Sequence, residues 1–335
     1  MNILVLGMGS NVSQGIVKAL RGIKDIPIHI IGACISKSSV GLYMCDEAYI
    51  SPFAADDSFI PWYLNICREK HIDITFTGVE ANIDAFVRNR EIIEKTVKTK
   101  FVYPEKEAWE IGYDKYKTCQ WLKNNNIAFP DFALASDDKE LSELILRVGF
   151  PLIAKPRSGK GSSGIIIAKT KKELMSIIGR EDYVVQEYIG NIDSEYTVGC
   201  YYSRYGELQA QITLHRYLKN GGTSIAEIVN DDSINELIEK ISNILKITGP
   251  LNIQIRKKKD GTPVCFEWNV RYSGTTAIRN HFGFCDVEAA IREYVFNENI
   301  DKCFHVATGG VAIRFDEEMY FENPSLESLY LEKSL

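Results

Sequence analysis

The stretch 251–271, LNIQIRKKKDGTPVCFEWNVR, constrains the chain more than any other. Two β-prone runs flank Lys259-Asp260-Gly261, and an Asp-Gly pair between alternating apolar residues is a strong short-range hairpin signal. Side chains alternate faces along a strand. Leu251, Ile253 and Ile255 therefore share one face, and Asn252, Gln254 and Arg256 the other. On the return strand Val264, Phe266 and Trp268 fall on one face, with Glu267, Asn269 and Arg271 opposite. The polar face is the informative one, because Asn is depleted in strands. Amide and carboxylate oxygens here come from neighbouring strands with arginines beside them, a set that suits a hard cation sharing its ligands with phosphates. The same pattern also fits an exposed amphipathic hairpin with ordinary charges.

A chain of 335 residues is too long for one typical core and implies two or three domains. Its net charge of -6 argues against a general nucleic-acid binder. No apolar run is long enough to span a bilayer. The eight cysteines are scattered, without a CxxC pair or disulfide-like spacing, which favours a reduced, cytoplasmic setting and packing thiols. The opening MNILVLGMGS lacks a basic leader and runs into a glycine turn, so it reads as a first strand.

That strand, the turn Gly7-Met8-Gly9-Ser10-Asn11 and a helix over 12–21 begin a doubly wound α/β unit. A dinucleotide site is not expected. Val12 stands where the third glycine of GxGxxG belongs, and the second strand, 28–33, ends in Cys34-Ile35-Ser36 without an acid for a ribose. Helices over 62–70 and 80–90 and strands at 72–76 and 101–103 complete this first unit. Glu80, near a helix start, could touch a substrate amine or simply favour the helix dipole.

From Pro104 the pattern changes. Two short helices over 105–125 join at Gly112, with Asp114-Lys115 opening the second. A strand ending in Lys155-Pro156 leads into the loop 157–164 (RSGKGSSG), and a further strand follows. A glycine-rich backbone with a lysine can hold phosphates through exposed N–H groups. Lys160 is followed by Gly161 and the loop runs strand to strand, so it is a flap and not a Walker A loop. Next come Gln186-Glu187-Tyr188-Ile189 at a strand end and Glu195 at the start of another, an arrangement suited to an adenosine.

This ordered set resembles the ATP-grasp superfamily, and most closely its branch like the carbamoyl phosphate synthetase large subunit, where the first metal position is also a glutamine. The elements are Asp114-Lys115, Lys155 with the flap, 186–189, Glu195, Gln254 and Glu267-x-Asn269-x-Arg271. The resemblance implies an α/β and α+β chain. A Rossmann-like domain (1–103) would precede a two-lobed ATP-grasp fold, with a small lobe at 104–186 and a large lobe at 187–335. It implies that Lys115 and Lys155 contact ATP phosphates under the flap residues Ser158, Gly159, Gly161, Ser162, Ser163 and Gly164. Gln186, Glu187, Tyr188 and Ile189 would hold adenine, and Glu195 the ribose. Gln254, Glu267 and Asn269 would ligate one or two Mg²⁺, for which Mn²⁺ can substitute. Arg271 would neutralise the transferred phosphoryl group. A homodimer is implied as well.

Three departures stand out. Val270 replaces the proline common after the metal asparagine, Gln254 is neutral where a carboxylate is commoner, and the chain holds one grasp unit without a second synthetase half. The expected activity is Mg·ATP-dependent joining of a small-molecule carboxylate to an amine through an acyl phosphate. Bicarbonate activation and a non-catalytic nucleotide sensor are the alternatives. Arg279 or Arg216 could grip the acid bidentately, and His215 and His281 are candidate bases or structural histidines. Cys285, in an apolar context, reads as a packing thiol.

Overall fold

A computed structural model of the chain describes residues 1–159, 164–190 and 195–321. Their strands form three sheets. The first is parallel, in the order β3-β2-β1-β4-β5. Its strands are β1 (Asn2–Leu6), β2 (His29–Cys34), β3 (Glu47–Ile50), β4 (Ile74–Thr77) and β5 (Lys100–Phe101). Helices α1 (Asn11–Gly22), α2 (Phe59–Glu69), α3 (Glu80–Arg88) and α4 (Arg90–Thr96) connect them. Ile3 to Leu6 are buried on both faces, as parallel strands under helices must be. Gly7 turns the chain at φ +70°, and a Cβ there would lie 2.2 Å from Val79 Cγ2. The expected helix over 80–90 breaks at Asn89, and β3 had no clear signal in its four mixed residues.

Two helices follow, α5 (Lys106–Tyr113) and α6 (Lys115–Asn124). They join at Asp114 and not at Gly112, because the Asp114 carboxylate caps α6 by accepting from the N–H groups of Tyr116 and Lys117. Gly112 serves close approach instead: a Cβ there would lie 2.4 Å from Val270 Cγ2.

The second sheet is antiparallel, in the order β6-β9-β7-β8. It comprises β6 (Phe132–Leu134), β7 (Leu152–Pro156), β8 (Ile166–Ala168) and β9 (Tyr183–Glu187). Helices α7 (Asp138–Val148) and α8 (Lys171–Leu174) bury Leu141, Leu144 and Leu174 against Leu152, Ala154 and Val185. Alternation then turns Ile153, Lys155 and Gln186 to the opposite face.

The third sheet runs β14-β13-β10-β11-β12-β15, all antiparallel. Its strands are β10 (Glu195–Tyr202), β11 (Leu208–Lys219), β12 (Gly222–Ile228), β13 (Gly249–Lys257), β14 (Pro263–Asn269) and β15 (Val311–Ile313). β11 runs through His215 and Arg216 to Lys219, and Thr223 and Ser224 belong to β12. On one face α9 (Asp232–Ile244) packs Ile234, Leu237, Ile238 and Ile241 against Val198, Ile253 and Trp268. On the other, Tyr201, Ile212 and Leu214 share a core with Ile3 of β1 and Ile16 and Leu20 of α1. Helices α10 (Thr276–His281) and α11 (Asp286–Tyr294) lie at that seam, α11 adding Val287 and Ile291 to the same core.

Two expectations are corrected here. Residues 104–127 were placed with the small lobe, yet Leu122 and Ile127 join the core under α9, and Trp121 meets Trp268 edge to face at 5.0 Å. The hairpin does not alternate strictly either. Asn252 pairs with Asn269, Ile253 with Trp268 and Gln254 with Glu267, but Ile255 pairs with Cys265. The extra residue makes a β-bulge, which turns Cys265 into the core and swings Phe266 to the side of Glu267.

Candidate active site

The inner faces of the second and third sheets enclose a cavity of about 450 Å³, a size that suits a nucleotide. Lys115, Lys155, Ser158, Gly159, Gln186, Glu187, Tyr188, Ile189, Glu195, Gln254 and Glu267, all singled out in the sequence, line it. Arg216, Arg256 and Phe266 line it too. A narrower cleft continues past Lys115, Gly159 and Glu267 to Glu80, Tyr113, Asn269 and Arg271. Gly161, Ser162 and Ser163 lie outside the described residues.

The loop's root is held at both ends. Arg157 pairs with Asp114 at 2.6 Å, and Lys115 Nζ donates to Gly159 O at 3.2 Å. At the return end Tyr183 Oη donates to Gly164 O at 3.0 Å. A Cβ on Gly164 would lie 2.7 Å from that hydroxyl, and its φ is +73°. Here glycine is required by space and by backbone together.

Lys155 is 5% exposed. Its Nζ stands 4.6 Å from the centre of the Phe266 ring, the residue that the bulge delivers. Burial pulls its pKa down to about 8, although Glu267 favours its charge. Glu267 shows the complementary balance: burial raises its pKa, but Lys115 and Lys155 outweigh burial and hold it below the usual carboxylate range. The cavity thus contains an ionised carboxylate facing lysines, which suits a cation shared with phosphate oxygens. Two buried groups in the wall, Gln186 Oε1 and Arg216 Nε, have no hydrogen-bond partner among the described residues. Such groups are costly unless something in the cavity meets them.

Glu195 is more heavily engaged than a simple ribose acceptor would be. Arg216 Nη2 donates to its Oε1, and Arg256 donates to its Oε2 through Nε at 3.1 Å and Nη2 at 2.6 Å. Burial raises its pKa, but the two guanidinium groups win and hold it low. Arg216 Nη2 also donates to Gln254 Oε1 at 3.0 Å. At the other end of the hairpin Arg271 Nη2 donates to Asn269 Oδ1 at 3.1 Å and to Glu80 Oε1 at 2.6 Å. Both amides expected as metal ligands therefore already share their oxygens with arginines.

Arg279 is corrected outright. It is 1% exposed, lines neither cavity, and lies 3.6 Å from the buried carboxylate of Asp286. A Cβ on Gly199 would lie 1.8 Å from its Nη1, so that glycine makes its room. It packs the interior and does not reach an incoming acid. Arg216 sits in the cavity wall, bonded to Glu195 and Gln254. His215 lies between the rings of Tyr196 and Tyr217, and His281 against Phe282. Cys285 is half-buried with its thiol pushed up to about 11, in keeping with a packing role. Val270 is buried against Gly112, and Arg271 still reaches the cleft.

The sequence reading left three contributors without the part they play in the site. Arg256 was visible on the polar face of the hairpin, and its alternation was the available signal. Phe266 was hidden by the bulge. Glu80 was noted, but its bond to Arg271 joins residues 191 positions apart in the chain.

Two antiparallel sheets closing on a nucleotide-sized cavity, with a glycine-bearing flap between strands of the smaller one, define the ATP-grasp fold. The chain has that fold, and two ATP-grasp models match parts of it. The model for a RimK-like ATP-grasp domain matches residues 112–200, and the one for ATP-grasp in the biosynthetic pathway with Ter operon matches 179–301. The fold superposes on N5-carboxyaminoimidazole synthetase from Staphylococcus aureus complexed with ADP at a TM-score of 0.70, with 14% identity, over 89% of this chain and 78% of that one. It matches the biotin carboxylase of Campylobacter jejuni, a β,γ-ATP complex, at 0.70 with 16% identity, over 93% and 75%. In sequence it is similar to the carbamoyl phosphate synthase large chains of Pseudothermotoga lettingae, 24% identical over 306 residues, and Thermoanaerobacter pseudethanolicus, 26% over 310. Each alignment covers 82% of this chain, while the chain spans only 26% and 27% of those relatives.

Proposed function

We propose that the chain is an ATP-dependent ligase that phosphorylates a carboxylate and passes the acyl group to an amine. The observation that carries this reading is the placement of Lys115, Lys155 and the flap root from one side against ionised Glu267 from the other, in one cavity. The similarity to carbamoyl phosphate synthase large chains, and to the folds of a synthetase complexed with ADP and a biotin carboxylase complexed with ATP, supports it.

Tyr188 and Ile189 leave β9 at the cavity wall, where Gln186 Oε1 awaits a donor such as an adenine amino group. Lys115 and Lys155 would neutralise phosphate oxygens. Glu267 would hold Mg²⁺, whose contribution when bound is to offset charge on the phosphates. Arg271, held by Glu80, stands in the cleft beyond Glu267, at the end where the phosphoryl group leaves ATP. There a carboxylate oxygen attacks the γ-phosphorus, forming an O–P bond while the bridging P–O bond breaks and ADP departs. The amine nitrogen then attacks the acyl carbon. A C–N bond forms, phosphate leaves with the electron pair, and the nitrogen gives up a proton. The flap's role is to keep water from the acyl phosphate.

An acyl-phosphate trap tests this. With Mg·ATP, hydroxylamine and a panel of carboxylic acids, hydroxamate and ADP should appear together with one acid. ADP formed only with bicarbonate would support the second reading, favoured by fold neighbours that include a carboxylase domain complexed with MgADP and bicarbonate. No ADP with any acid, with amines present, refutes the ligase.

A further inference from the structure

We propose that this site takes a single divalent cation, with Glu267 as its protein carboxylate and the guanidinium of Arg216 standing where a second cation would sit at Gln254. The inference rests on the nucleotide reading above. Gln254 lies directly across the hairpin from Glu267, so the two side chains are placed to share metal ions. Yet the one oxygen of Gln254 accepts a hydrogen bond from Arg216 Nη2 at 3.0 Å. A divalent ion on that oxygen would face a fixed positive charge at close range, with Arg256 on the same wall.

Arg216 is not free to swing away. The same nitrogen that holds Gln254 is bonded to Glu195, whose side chain is 4% exposed. Arg256 binds the other oxygen of that carboxylate at 2.6 Å. Glu195 is therefore an anchor for two arginines and is not available to a metal. The opposite end repeats the device, since Asn269 Oδ1 accepts from Arg271, itself anchored on Glu80. Glu187, the remaining acid of the cavity, pairs with Lys258 at 3.4 Å. Among the described residues no group of three or more His, Cys, Asp or Glu side chains could hold a metal. One carboxylate completed by phosphate oxygens and water is an ordinary site for one Mg²⁺. Arg216 adds a fixed charge and leaves its buried Nε without a partner among the described residues, a donor for a phosphate oxygen.

The test is equilibrium dialysis of Mn²⁺ against the full chain with a saturating non-hydrolysable ATP analogue, measuring the metal and nucleotide retained on the protein side. One Mn²⁺ per bound nucleotide is expected, rising to two in Arg216→Met, where Gln254 is released while Arg256 still satisfies Glu195. Arg216→Lys, which keeps the charge, should stay at one. In Gln254→Leu, a check independent of the Arg216 variants, the ratio should stay at one with Mn²⁺ affinity changed less than twofold. Two ions in the unaltered protein, or one in an Arg216→Met chain that still binds nucleotide, would overturn the proposal. No retained nucleotide at all would instead overturn the ATP site on which it rests.

Discussion

Replacing Lys155 with methionine should abolish nucleotide binding and yet stabilise the protein without nucleotide. Burial brings this lysine from 10.5 to about 8, so its charged form is disfavoured in the folded chain by about 3 kcal/mol. Methionine keeps the length of the side chain and carries no charge. It forfeits the attraction of Nζ to the Phe266 ring at 4.6 Å, worth about 1 kcal/mol. The net expectation is a gain of about 2 kcal/mol at pH 7. The pH dependence fixes the sign. Below pH 8 the lysine is charged in folded and unfolded chains, and the penalty is fully present. Between about 8 and 10.5 the unfolded chain holds the proton and the folded one does not, so the original protein gains stability as pH rises. Urea unfolding of both proteins without nucleotide, at pH 7 and at steps toward pH 10, should show the variant's advantage shrinking. A variant less stable at pH 7, or an advantage indifferent to pH, would refute the reasoning.

The same lysine makes ATP affinity pH-dependent: measured by calorimetry, it should be flat below pH 8 and fall up to about tenfold per pH unit above it, because phosphates bind the protonated form. Glu80→Gln should release Arg271 from its 2.6 Å ion pair and lower kcat by about 100-fold while leaving ATP affinity nearly unchanged, as a misplaced catalytic group does. Gly199→Ala should cost about 3 kcal/mol in urea unfolding, since its Cβ would meet the Arg279 guanidinium at 1.8 Å.

The hairpin and the flap were legible because both are written in local signals. Asp260-Gly261 marks a turn, alternation assigns faces, and Lys160-Gly161 excludes a Walker loop. The order of the motifs then pointed to one fold. What was illegible depends on distance or on one-residue slips. Nothing in Cys265-Phe266-Glu267 announces a bulge, so Phe266 was placed on the face of Val264 and Trp268 while it faces the lysine. Arg279 looked like a substrate ligand because the sequence could not show that Gly199 opens a buried place for it beside Asp286. The apolar face of α6 gave no hint of which lobe it would cover, and Leu122 went to the larger. Glu80 acquires its partner only when the first sheet docks on the hairpin.

The most direct measurement of the chemistry follows oxygen from the acid. Supply the acid that gives hydroxamate with ¹⁸O in its carboxylate, add ATP and amine, and analyse the released phosphate by mass. One ¹⁸O in each phosphate formed with the amide is the result expected, because the acid's own oxygen becomes the bridge to phosphorus and leaves with it. Phosphate free of label, with amide still formed, would contradict the acyl-phosphate route and the function built on it.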